Sequence, residues 1–247
     1  MTRPPFTALH ALLSFALVFL AQVVAGFGVV FAAVIVKMAS GENVSESGAM
    51  RQLTESLGIP LLLASAWISA AVLIVVLRAW AWPLVPDRTD EGLGLVAPAR
   101  NQILALALIG VACAGTYLAL ISLAHLKPTG PLGPIARVAL ESRAGRTAWI
   151  VVALCYAPVI EELLFRGLMW RGLRASWGVI PAGAIVTLLF FALHLGETMH
   201  FWPAMIAIAT LSVATLLARV RTGSVVASMV LHAAYNGTIA VAALLAG

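Results

Sequence analysis

Charge is what this chain has least of. Only 10% of its 247 residues are Asp, Glu, Lys or Arg and 62% are hydrophobic, against roughly 25% charged in an average soluble domain. That shortage excludes a water-soluble globular surface. Cationic clusters are missing too: the fifteen Lys and Arg stand singly or in pairs between apolar runs. The net charge of +5 therefore lacks the concentrated surface that a nucleic acid requires, and the scatter matches membrane-flanking anchors instead. No nucleic-acid partner is expected. The two cysteines, Cys113 and Cys155, have neither CxxC spacing nor neighbouring histidines, and read as small buried hydrophobes. The zincin signature HExxH is absent, and so is any internal repeat of the kind that builds transporters.

What is present is a succession of long apolar runs. A span needs about twenty apolar residues, and that template gives seven, at about 8–36, 58–82, 102–126, 147–170, 179–196, 202–218 and 223–245. The first follows a single arginine but continues to about Val36, longer than a signal-peptide core, and is expected to remain as an uncleaved span. The polar connections after the first and second spans are expected outside the bilayer. The third begins KPTGPLGP and then turns amphipathic, as a linker leading into an interfacial helix would. The expected architecture is an all-α membrane protein of about seven transmembrane helices with a C-terminal four-helix core. It divides into a three-span bundle (1–126), a linker (127–146) and a second membrane unit (147–247). Most tryptophans, Trp170 among them, fall near span ends, as an aromatic belt would. Eight Lys and Arg on the N-terminal side against six opposite favour a cytoplasmic N-terminus. The expected location is a multi-pass one in a cell membrane, of the bacterial plasma-membrane kind.

Of the ten acidic residues, eight can be placed in loops or at membrane edges. Glu161 and Glu162 cannot: they follow TAWIVVALCYAPVI and precede LLF, with Arg166 closing EELLFR. A charge at the bilayer centre costs about 2.5–3.5 kcal/mol on insertion scales, so its presence calls for a reason. On a helix, Glu162 and Arg166 share a face and can pair. Glu161 points about 100° away and has no partner in its own helix, which makes it the candidate general base. FFALHL places Phe190 and His194 four apart, and LHAAYN does the same for His232 and Asn236. Counting 1.5 Å per residue from the nearest span end brings Glu161 and His232 to similar depths of about 15 Å. His194, at about 20–24 Å, fits less well.

Glu161-Glu162-x-x-x-Arg166, Phe190-x-x-x-His194 and His232-x-x-x-Asn236, each in its own apolar span, resemble the motifs of the CPBP family of intramembrane proteases. That family includes the CAAX-prenyl endoproteases and the bacteriocin-processing or immunity-associated Abi proteins. The resemblance covers about 147–246, includes Thr222-Gly223-Ser224 before the last span, and leaves the first three spans unmatched. It implies a glutamate-dependent endopeptidase in which Glu161 acts with His194 to activate water. His232 and Asn236 would stabilise the oxyanion, and Glu162, Arg166 and Phe190 would orient the site. No cofactor is implied. Zinc held by two histidines and a glutamate is the rival reading and is not favoured, since Asn236 is a poor ligand. The implied partners are the lipid bilayer and a membrane-associated peptide or protein, lipid-modified or bearing a C-terminal sorting signal. The alternative from another class is a non-enzymatic immunity or transport protein that uses the same polar cluster for binding. The site side of the chain, reckoned by charge, is cytosolic.

Overall fold

The computed structural model describes residues 6–40, 57–81, 92–126 and 143–246. The first expected connection (41–56), the part of the second up to residue 91, and most of the expected linker lie outside the described residues. Within them the protein is helical and has no strand. Helix α1 runs Ala8–Ala39, α2 Gly58–Val76 with a π-helical extension Leu77–Ala81, and α3 Arg100–Leu123. Helix α4 is a continuous run over 143–177, followed by α5 (Val179–Leu193), the single turn α6 (Leu195–Thr198), α7 (Trp202–Thr222) and α8 (Val225–Ala246). Helices α1, α2, α3, α4, α7 and α8 are long and apolar enough to cross a membrane, and α5 is a shorter apolar helix. This is the all-α membrane architecture of about seven helices.

Several helices have no polar side, because their outer faces meet lipid rather than water. Phe27, Phe31, Leu104, Ile180 and Leu188 all face outward. The interior is where the polar groups gather: Glu162, Arg166, Ser212, Thr215, Arg219 and Ser228 are buried. Helix α1 packs on α2 and on the C-terminal half of α4, α3 packs on α8 and α7, and α5 lies between α4 and α7. Close approach is made by glycine. A Cβ on Gly110 of α3 would stand 2.3 Å from the Leu231 carbonyl of α8, so any side chain there must push the two backbones apart.

Helix α4 carries the acidic pair and is not regular. Two π-helical stretches, Val152–Tyr156 and Leu163–Met169, bracket the α-helical piece Ala157–Glu162. Pro158, inside that piece, has no N–H to donate back along the helix. Side chains from other helices take up carbonyls in both π stretches: Asn236 Nδ2 donates to the Ala153 carbonyl at 2.8 Å, and Arg219 Nε donates to the Arg166 carbonyl at 3.0 Å. Local π-helix of this kind is frequent at functional sites, and here it sets the rotation at which Glu161 and Glu162 are presented.

Four sequence readings are corrected by the packing. Trp170, assigned to the aromatic belt, is a core residue. Cys155, expected buried, is exposed. Arg219, counted as a membrane-flanking anchor, is buried and also donates to the carbonyls of Gly223 and Gly92. The second connection is not wholly external either: Leu93 packs into the core, Val225 N–H donates to the Gly94 carbonyl at 2.7 Å, and Ser224 Oγ donates to the Val96 carbonyl. The motif Thr222-Gly223-Ser224 explains this junction. Gly223 adopts the left-handed conformation (φ 68°) that ends α7, and Ser224 accepts from the Ala227 N–H at 3.1 Å to open α8.

Candidate active site

The seven residues singled out from the sequence converge. Glu162 and Arg166, one turn apart on α4, form a buried ion pair at 3.2 Å. Arg166 continues to α7, where its Nη2 donates to the Ser212 carbonyl (2.8 Å) and Oγ (3.1 Å). Its guanidinium carbon lies 4.4 Å from the Phe190 ring centroid, within cation–π range. Removing a charge from water is unfavourable unless it is paired and hydrogen-bonded, and Arg166 draws these partners from three helices.

His232 of α8 completes the inner layer. Its Nδ1 lies 2.8 Å from Glu162 Oε1. An ionised carboxylate held by an arginine only accepts, so Nδ1 donates and Nε2 is turned the other way. His194 is held by the same logic: its Nδ1 is 2.8 Å from the Phe190 carbonyl, which can only accept, and again Nε2 is left facing inward. Phe190 stands between these groups, with ring centroids 4.7 Å from His194 and 6.1 Å from His232.

Both Nε2 atoms face Glu161. Each is 4.0 Å from Glu161 Oε2, too long for a direct hydrogen bond and suited to a bridging water. Glu161 Oε2 is buried and has no protein hydrogen-bond partner. The two neighbouring carboxylates therefore stand in different settings: Glu162 is wholly enclosed, whereas the Glu161 side chain retains 29% of its exposure. Asn236 is one turn beyond His232 and lines the same cavity as Glu161, His194 and His232. Its bond to Ala153 uses one of its two amide hydrogens.

The depth mismatch of His194 disappears in the structure. Helix α4 continues past Arg171 to Trp177, and the chain reverses at Gly178 with φ 83°. Glu161 precedes that turn by 17 residues and His194 follows it by 16, so both lie about 25 Å from it. Helix α5 ends there: His194 is its C-cap, with α6 and the link to α7 following directly.

Sequence reasoning missed Ser212 and Arg219. Neither carries a motif, and a serine or a span-end arginine among apolar residues gave no sign of its target. Among the described residues no group of three or more His, Cys, Asp or Glu has the arrangement of a metal site.

Residues 143–238 match the sequence model of the Rce1-like family, described as type II CAAX prenyl endopeptidase Rce1-like. The matched stretch begins at α4 and ends in α8, and contains all seven residues above. No curated protein and no solved structure matches the chain.

Proposed function

With residues 143–238 in the Rce1-like, type II CAAX prenyl endopeptidase family, we propose that the chain is an intramembrane endopeptidase in which Glu161 activates a water. The carrying observation is the convergence of a buried, unpartnered carboxylate oxygen with two imidazole nitrogens, each 4.0 Å away. Glu161 Oε2 and the Nε2 of a neutral His194 are both acceptors, and a water that donates to the two satisfies them.

In the proposed reaction, water held by Glu161 and His194 attacks the scissile carbonyl carbon and gives its proton to the Glu161 carboxylate. The negative charge formed on the carbonyl oxygen is met by His232, whose Nδ1 is held on Glu162 so that Nε2 faces the site, and which in its protonated form presents an Nε2–H to that oxygen. The remaining Asn236 amide hydrogen is available to the same oxygen. One such donor is worth about 3–4 kcal/mol in a water-poor site. Glu161 then passes its proton to the leaving nitrogen as the C–N bond breaks, which releases an acid and an amine. Asn236 thus holds Ala153 on α4 and also faces the reacting carbonyl. The substrate is proposed to be a membrane-associated peptide or protein, in a cell membrane of bacterial plasma-membrane type.

The test compares protein termini in the native host with wild type and Glu161→Gln. A neo-terminus present with wild type, absent with the variant and restored by complementation is expected; a general base contributes about 10²–10⁴-fold. Identical terminal profiles with a phenotype that survives the substitution would instead support a binding protein. Cleavage is expected to resist 1,10-phenanthroline. Loss of activity to the chelator, with recovery on adding zinc, would assign the three groups to a metal.

A further inference from the structure

Glu161 and His194 stand on the boundary between two cavities. One, of about 340 Å³, lies between α1, α2 and α4 and is lined by Phe15, Phe19, Gln22, Ser69, Tyr156 and Phe165 as well as by Glu161 and His194. The other, of about 330 Å³, carries Tyr117, Trp149, His232, Tyr235 and Asn236 beside the same two residues. Both volumes fall within the range of ligand sites, roughly 300–1,000 Å³. The second cavity belongs largely to the family-matched stretch. In the first, α1 and α2 supply one wall, and both lie outside that match.

Resting on the peptidase reading, we propose that the first cavity is the subsite for the substrate residues on one side of the scissile bond. Gln22 would hydrogen-bond the substrate backbone, and Phe15, Phe19 and Phe165 would take an apolar side chain. A peptide whose carbonyl carbon is reached from Glu161 has to extend both ways from it, and among the described residues these two cavities open there.

Gln22 is a mid-span amide in α1, where a polar side chain is costly without a task. Its Nε2 donates to Ser69 Oγ at 2.6 Å, and Ser69 Oγ in turn donates to the Ser65 carbonyl at 2.6 Å. That chain fixes the amide while using only one of its two hydrogens and neither lone pair of Oε1. One donor and one acceptor remain, which is what a peptide unit requires. Tyr156 stiffens the same wall, since its hydroxyl donates to the Ala66 carbonyl of α2. The apolar side is ordered as a row of rings: Phe15 lies 5.8 Å from Phe165, Phe165 lies 5.2 Å from Phe190, and Phe190 lies 4.7 Å from His194. A side chain seated on that row would be set directly against the proposed water site.

The experiment uses the full-length protein in lipid nanodiscs with a peptide library prepared from the host membrane proteome, and reads residue preference on each side of the cleaved bond. Gln22→Met and Phe19→Ala are expected to alter preference on one side only. For a peptide taken from the profile, Gln22→Met is expected to raise KM about threefold to tenfold, the effect of one lost hydrogen bond, with kcat within twofold. Trp149→Ala is expected to alter the opposite side, and Phe27→Ala, on a lipid-facing position 74% exposed, neither side. Phe19 is itself 44% exposed, so its truncation tests the subsite without emptying the core. Unchanged preferences and KM in both cavity variants, with Glu161→Gln inactive, would overturn the subsite and leave the peptidase reading standing. Absence of any Glu161-dependent cleavage would overturn the peptidase reading and the subsite with it.

Discussion

Arg166 and Glu162 illustrate what single residues contribute here. Both are completely buried, and the pair also anchors His232. Removing one partner leaves an uncompensated charge in an apolar interior, a loss of about 3–5 kcal/mol. Arg166→Met is therefore expected to lower thermal stability in detergent substantially, while Glu162→Gln/Arg166→Met, with no charge left behind and an amide oxygen still available to His232, recovers most of it. Equal destabilisation of the single and double variants in a melting assay would mean that Arg166 acts through Ser212 and Phe190 rather than through its charge. Glu161 is expected to behave oppositely. Because its buried oxygen has no protein partner, Glu161→Gln abolishes cleavage and leaves the melting temperature nearly unchanged.

Among the elements, α4 and α3 carry the most consequence. The acidic pair is presented by an α-helical piece between two π-helical stretches, whose carbonyls at Ala153 and Arg166 are bound by Asn236 and Arg219. Helix α3 supports this from behind by pressing on α8, the helix that bears His232 and Asn236. Gly110→Leu puts a side chain where even a Cβ meets the Leu231 carbonyl at 2.3 Å. Overpacking of this kind costs about 1–3 kcal/mol, and the displaced α8 would shift His232 from Glu162. The expected outcome is a lower melting temperature together with reduced cleavage. Retention of both would mean that the α3–α8 contact is looser than its backbone spacing implies. The EExxxR spacing was readable because a four-residue interval gives the same neighbours on almost any helix. The π-helical distortion was not, because it depends on which carbonyls distant side chains reach.

At the scale of the molecule, the first three helices are packed against the last part of the chain. The α1 end meets the end of α4, with the Ala8 N–H donating to Ser176 Oγ at 2.9 Å, and α3 lies on α8. A chain cut within 127–142, with both pieces expressed together, is therefore expected to yield fragments that copurify from the membrane and regain cleavage. Fragments that separate on mild detergent extraction would mean that covalent continuity, not packing, holds the first three spans to the rest. Helices α1 and α2 then act, in our proposal, as a wall of the substrate cavity as well as a membrane anchor.

Composition by itself determined the solvent. So few charges among so many apolar residues leave only helices that meet lipid, and the few ionisable groups inside them had to be functional or paired. Spacing determined which groups share a face, and so set Glu162 with Arg166 and left Glu161 apart. Tertiary structure alone decided the rest: that His232 rests on Glu162, that Asn236 and Arg219 grip α4, and that Trp170 is core. It also decided that the long α4 and the shorter α5 return Glu161 and His194 to one depth. These depend on distances between residues far apart in the chain, and local sequence encodes periodicity and polarity but not which distant backbone a side chain will find.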